Sequence, residues 1–189
     1  MHTERRVREV AAPAPVLWDV LATVGGDNGW YAAQPGWRVR AAVDRAVGGP
    51  GMRTGRPGGE PEPGEAVDFW RVESVDPGRR LRLRAEMRMP GTAWLELGAE
   101  PLAPGRSRLV QRTEFEPAGV AGQAYWWVEW PVHQLVFRAM VRSLAREAER
   151  RAAGADPGRT PTARQVPDRP RTRRAHGIPG PGARGRGVR

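Results

Sequence analysis

The 189-residue chain contains no cysteine, which excludes disulfides, thiolate catalysis and cysteine-ligated zinc. Lysine is also absent, so all 31 basic residues are arginine. Codon bias in a GC-rich genome produces that pattern without any demand for arginine chemistry. Histidine is scarce: His2, His133 and His176 are the three, and two of them stand near the chain ends. A hydrolase triad would have to use His133, and no Gly-x-Ser-x-Gly elbow occurs anywhere. Long apolar runs are missing too. The longest, Ala124 to Val141, is interrupted by Glu129, His133, Gln134 and Arg138, whereas a membrane span needs roughly 20 apolar residues. The chain opens His2-Thr3-Glu4-Arg5-Arg6 with no apolar stretch behind the charges. No signal peptide is therefore expected, and the expected location is cytoplasmic.

The formal net charge of +10 is unevenly placed. Residues 1–149 hold twenty Arg against nineteen acids, and residues 150–189 hold eleven Arg against Asp156 and Asp168. The first part is thus near neutral and the excess lies in the tail, which argues against a specific nucleic-acid surface on the domain. From Ala152 onward there are six Pro, seven Gly and almost no apolar residue. Such a stretch buries too little surface to offset its ordering entropy. The expected organisation is a folded domain over 1–151 and a disordered Arg/Pro/Gly-rich tail over 152–189. A solvated tail is the simplest reading of its Arg-Gly-Arg-Gly ending, and weak, salt-sensitive binding to anionic surfaces is the alternative.

Periodicity sets the element order. Thr3 to Val10 reads as an edge strand. Pro15 then opens a helix whose apolar face is Val16, Leu17, Val20, Leu21 and Val24, ended by Gly25-Gly26. A second helix, carrying Val39, Val43, Ala46 and Val47, closes at Gly48-Gly49-Pro50, and a loop runs from Gly55 to Gly64. The period then changes to alternation. Extended segments are expected over 65–75, 80–89, 93–100 and 108–116, joined by the turns Asp76-Pro77-Gly78, Pro90-Gly91 and Pro104-Gly105. In the second of these, Leu81, Leu83, Ala85, Met87 and Met89 share one face, and Arg82, Arg84, Glu86 and Arg88 the other. Gly119 to Arg151 reads as one long helix, kinked at Pro131. Its first half is apolar nearly all round and its second half on one stripe, which predicts a helix that starts deep and ends exposed.

Strand, two helices, an antiparallel meander and a long last helix form an order that resembles the START-like superfamily, also called SRPBCC or polyketide-cyclase-like. The stretch Val10-Ala11-Ala12-Pro13-Ala14-Pro15-Val16-Leu17-Trp18-Asp19-Val20-Leu21 is similar to its usual opening. More narrowly, the chain resembles the domain-of-unknown-function family numbered twenty-eight sixty-seven. The matching segments are Gly29-Trp30-Tyr31, Val47 to Gly51, Asp68 to Glu73, Leu81 to Met87, Tyr125-Trp126 and Trp130 to His133. The resemblance implies an α+β helix-grip fold, a curved antiparallel sheet wrapped around the C-terminal helix, with two short helices after the first strand. It also implies a hydrophobic cavity between sheet and helix, and a possible NAD(P)-binding reductase partner, since such a domain often precedes this one in longer chains. No glycine-rich dinucleotide fingerprint follows a strand here, so no cofactor is expected on this chain.

For such a cavity the candidate ligand-binding residues are Phe69, Leu83, Met87, Leu95 and Phe115 from the strands, and Trp127, Trp130, His133 and Phe137 from the helix. Of the eight tryptophans, Trp70, Trp94, Trp126, Trp127 and Trp130 either fill the core or face the cavity, and at least two are expected to touch it. Glu129 and His133 stand at i and i+4 on one helix face. Two ligands do not make a metal site, so no metal is expected, and His133 is the only candidate for acid–base work. Glu96 depends on register. If Pro90-Gly91 alone turns the chain, Met87 pairs with Trp94 and Glu96 faces inward. If Thr92 joins the turn, Met87 pairs with Leu95, Ala85 with Leu97, and Glu96 faces outward. The second register matches apolar to apolar and is the expected one. The expected function is binding of an apolar or aromatic small molecule. A cyclase or dehydratase using the same cavity is the alternative, as is a helper domain to a reductase.

Overall fold

A computed structural model describes residues 1–25, 29–30 and 59–154. The expected second helix, with Val39 and Val43, and the tail beyond residue 154 lie outside the described residues. Within them the order is β1 (His2–Val10), α1 (Ala14–Ala22), β2 (Ala66–Val67), β3 (Trp70–Asp76), β4 (Arg80–Ala85), β5 (Gly91–Ala103), β6 (Arg106–Pro117) and α2 (Gly119–Gly154). The strands form one curved antiparallel sheet in the order β1-β6-β5-β4-β3-β2. Neighbours in sequence are neighbours in the sheet except β1, which crosses to pair with β6. Irregularities between Val72 and Ser74, and between Pro101 and Ala103, interrupt the ladders. Such bulges bend the strand that carries them.

Alternation decides which face each residue takes. Leu83 pairs with Leu95 and Leu81 with Leu97, and Leu97 pairs in turn with Gln111 and Ala99 with Leu109. The four leucines and Leu109 are fully buried. Helix α1 lays Leu17, Val20 and Leu21 on this face, and α2 adds Met140, Val141, Leu144, Ala145 and Ala148. On the opposite face Arg82 gathers Glu73 at 2.6 Å, Glu114 at 2.8 Å and Glu96 at 3.7 Å. Partial burial would raise the Glu73 carboxyl. Hydrogen bonds from Arg82 and Trp94, with the charges of Arg82 and Arg84, outweigh that and hold it below the usual carboxylate range.

Glu96 therefore faces outward, opposite Arg82, although neither expected register is the one formed. The ladder of β4 stops at Ala85, and Met87 and Met89 belong to the connection to β5 rather than to a strand. Glu86 N–H bonds the Phe69 carbonyl instead of continuing the ladder. Gly91 then takes φ 154°, where a Cβ would stand 2.4 Å from the Glu116 carbonyl oxygen and 2.7 Å from the Phe115 ring. Glycine is required there.

Helix α2 reverses the expected gradient. Its first half buries only Gly122 and Trp126, whereas its second half buries Phe137, Met140, Val141, Leu144, Ala145 and Ala148. Val128 is 75% exposed, Leu135 71% and Trp127 62%. The reason is layering: a helix apolar all round buries only the stripe facing its neighbour unless a second layer covers it. α1 packs against α2, and no described element covers the outer side of its first half. The helix continues through Pro131 and past the expected end at Arg151, with Ala152 packed against the core. Removing residues 155–189 is accordingly expected to change the melting temperature by no more than about 2–4 °C, the shift that about 1 kcal/mol produces in a domain of this size. A larger drop in a thermal melt would contradict that boundary.

Candidate functional site

Between the inner face of the sheet and the first half of α2 lies a chamber of about 120 Å³. Its position follows from two close approaches. At Gly122 a Cβ would lie 2.3 Å from the Pro90 carbonyl oxygen and 2.9 Å from Pro117, so only glycine lets the first turn of α2 sit on the β4–β5 connection. The Ala118 N–H donates to the same Pro90 oxygen at 3.0 Å. These contacts anchor the start of α2, and the chamber lies beneath the turns that follow.

Rings dominate the wall. Phe115 on β6 stacks against Trp126, centroids 5.6 Å apart and planes within 10°, and meets Tyr125 at 5.8 Å. Trp126 meets His133 edge-on at 6.3 Å, and His133 lies 5.5 Å from Phe137. Met87, Met89, Ala93 and Trp70 complete the sheet side, and Val132 and Val136 the helix side. Polar groups are few. His133 Nε2 and Glu129 Oε2 are 3.8 Å apart, both on the wall. The wall residues Trp70 and Thr113 carry buried Nε1 and Oγ1 atoms with no hydrogen-bond partner. Buried polar atoms are normally paired, so these two are exceptions among the wall residues.

The structure brings together Met87, Phe115, His133 and Phe137 from the expected set. It separates the others. Phe69, Leu83 and Leu95 are fully buried in the core and do not reach the chamber, because neighbouring side chains cover them completely. Trp127 turns to solvent. Trp130 is 41% exposed and points along the helix to β1, where its Nε1 donates to Glu4 Oε1 at 2.9 Å. Trp126, one residue away from Trp127, takes the inward position, and Trp70 also lines the chamber, whereas the Trp94 side chain lies on the outer face, where its Nε1 donates to Glu73.

Glu4 and Arg6 were not expected at the site. They lie on the inner face of β1, since Glu4 pairs with Thr113 and Arg6 with Gln111. Gln134 Nε2 also donates to Glu4. Arg6 Nη2 donates to Glu4 at 2.7 Å and to Gln134 Oε1 at 2.9 Å, and the guanidinium lies 5.6 Å from the centroid of the Phe137 ring. This hydrogen-bonded bar ties the edge strand to α2. His2, near the chain end and outside the expected edge strand, belongs to β1 and stacks on Trp126 at 4.6 Å. In the sequence Val7 makes the other face of β1 look like the inner one, which is why these residues were missed.

Among the described residues no cluster of three or more His, Asp or Glu could hold a metal, and no helix is long and apolar enough to cross a membrane. Comparison with curated proteins gives no match. Among solved structures the chain is similar to the Zhui aromatase/cyclase from Streptomyces sp. R1128, with 23% identity and a TM-score of 0.51 over 81% of this chain and 98% of that one. It is also similar to the di-domain ARO/CYC BexL from the BE-7585A biosynthetic pathway, with 18% identity and a TM-score of 0.51 over 79% of this chain and 47% of that one. This chain thus spans about half of BexL. Likeness at this level establishes the helix-grip fold. A family model described as Protein of unknown function (DUF2867) matches residues 2–140, and the chain therefore belongs to that family.

Proposed function

We propose that this protein binds a small aromatic molecule carrying a hydrogen-bonding oxygen, with its ring in the chamber between the sheet and α2. The observation that supports the reading most directly is the wall itself: Phe115, Tyr125, Trp126 and Phe137 surround about 120 Å³ of space, beside the unpartnered Trp70 Nε1 and Thr113 Oγ1. An apolar cavity of about 150 Å³ takes up benzene, so this volume suits one ring or the ring end of a larger molecule. The few polar groups on an apolar wall are the arrangement of a binding pocket. Phenol against cyclohexane tests it by calorimetric titration. Phenol is expected to bind and to raise the melting temperature with concentration. Tighter binding of cyclohexane would contradict the reading.

A second reading, catalysis of a cyclase or dehydratase kind, is favoured by one observation: His133 and Glu129 face each other on the chamber wall. His133→Gln separates the two. The variant keeps a donor and an acceptor at similar reach, and a binder is expected to change affinity by less than about tenfold, or ~1.4 kcal/mol. An enzyme using His133 keeps affinity and loses turnover by roughly 100-fold or more.

A further inference from the structure

Beside the chamber, on the far side of the Glu4–Gln134 bar, a groove of about 490 Å³ runs between β1 and α2. Four arginines face it: Arg6 and Arg8 from the inner face of the strand, Arg138 and Arg142 from the helix, with the backbone of Arg5 and Val7 along its rim. Their placement follows from periodicity. Gln134, Arg138 and Arg142 stand at successive i+4 positions, one face of a helix, and Arg6 and Arg8 alternate on the inner face of β1. Glu4 is the one acid on the groove wall, and it already accepts from Trp130, Gln134 and Arg6. Arg8, Arg138 and Arg142 make no ion pair with any described residue. Arg6 Nη1 is buried and has no hydrogen-bond partner.

Like charges gathered on two facing elements repel each other, and guanidinium forks match the geometry of carboxylate and phosphate oxygens. We propose that the groove is an oxyanion site, and that it takes the carboxylate or phosphate end of the ligand whose ring occupies the chamber. The two spaces share Glu4 as a wall. Arg6 belongs to the groove and lies over Phe137, whose ring belongs to the chamber. Ring site and anion site therefore adjoin at Glu4 and at the Arg6–Phe137 contact. This inference rests on the chamber reading for the ring and on the arginines alone for the anion.

The test titrates the full chain with ω-phenylalkanoates of increasing length, with the matching phenylalkanols, with phenylalkyl phosphates and with inorganic phosphate. The acids or phosphates are expected to bind at least tenfold more tightly than the alcohols at one preferred length, with an advantage that falls as salt rises. Arg138→Gln/Arg142→Gln, both exposed positions, is expected to remove that advantage while alcohol affinity and melting temperature stay unchanged. The acid and phosphate arms then show which oxyanion is preferred. Equal affinity of anions and alcohols, or an advantage that survives in the double variant, overturns the proposal. If no alcohol binds, the chamber reading fails by itself. Inorganic phosphate that binds the parent chain but not the double variant still supports the oxyanion site, and phosphate that binds neither overturns it.

Discussion

Ala93→Phe is expected to abolish binding of ring-sized compounds, with affinity falling at least about 100-fold while the domain stays folded. Ala93 sits on the inner face of β5 opposite Phe115 and forms part of the chamber wall. A phenyl group there occupies about the space that a ligand ring needs. Overpacking a filled core costs roughly 1–3 kcal/mol. Growth into an empty space avoids most of that cost and gains contacts on the new ring. The melting temperature is therefore expected to hold or rise, and the phenol titration to go flat. Undiminished phenol binding in this variant would place the ring elsewhere.

The second large effect concerns stability. Phe69→Ala is expected to cost about 3–5 kcal/mol, by lost transfer free energy and a residual cavity. Phe69 is fully buried, and its ring lies 5.6 Å from that of Trp70. Trp127→Ala, by contrast, is expected to cost less than about 0.5 kcal/mol, as exposed substitutions usually do. Both residues are aromatic and both belonged to the expected ligand-binding set, so the pair separates core from surface. Urea denaturation of the two variants measures the difference. A loss at Trp127 comparable with that at Phe69 would show that the outer face of α2 is covered in the native protein.

Much of the architecture was legible in the sequence, because hydrophobic period and turn chemistry act locally. The edge strand, α1, the turns at Pro77-Gly78 and Pro104-Gly105, and the long last helix all stand where their patterns put them. The outward direction of Glu96 followed from matching apolar residues across two strands. What failed depends on tertiary placement. Alternation continues through Met87 and Met89 in the sequence, but the β4–β5 connection begins before them, so periodicity alone overran the strand. In α2 Trp126, Trp127 and Trp130 differ by one, three or four positions, and only the direction from which the sheet approaches decides which turns inward. On β1 the inner face carries His2, Glu4, Arg6 and Arg8 before it reaches the buried Val10, and the outer face holds Val7. A pattern rule that sends charges outward misplaces the whole strand. The polar bar and the arginine groove became visible only when β1 and α2 were seen side by side.

The chain's five methionines allow the central claim to be tested at atomic positions. Met87 and Met89 line the chamber, Met140 lies in the core at 1% exposure, and Met1 is 76% exposed. With methyl-labelled methionine, a titration with phenol followed by two-dimensional NMR reports each site separately. The chamber account predicts saturable shifts of the Met87 and Met89 methyls with one common dissociation constant, and no saturable shift at Met1. Methyl signals of Met87 and Met89 that stay fixed while phenol binds, or that move only in proportion to phenol as Met1 does, would contradict it.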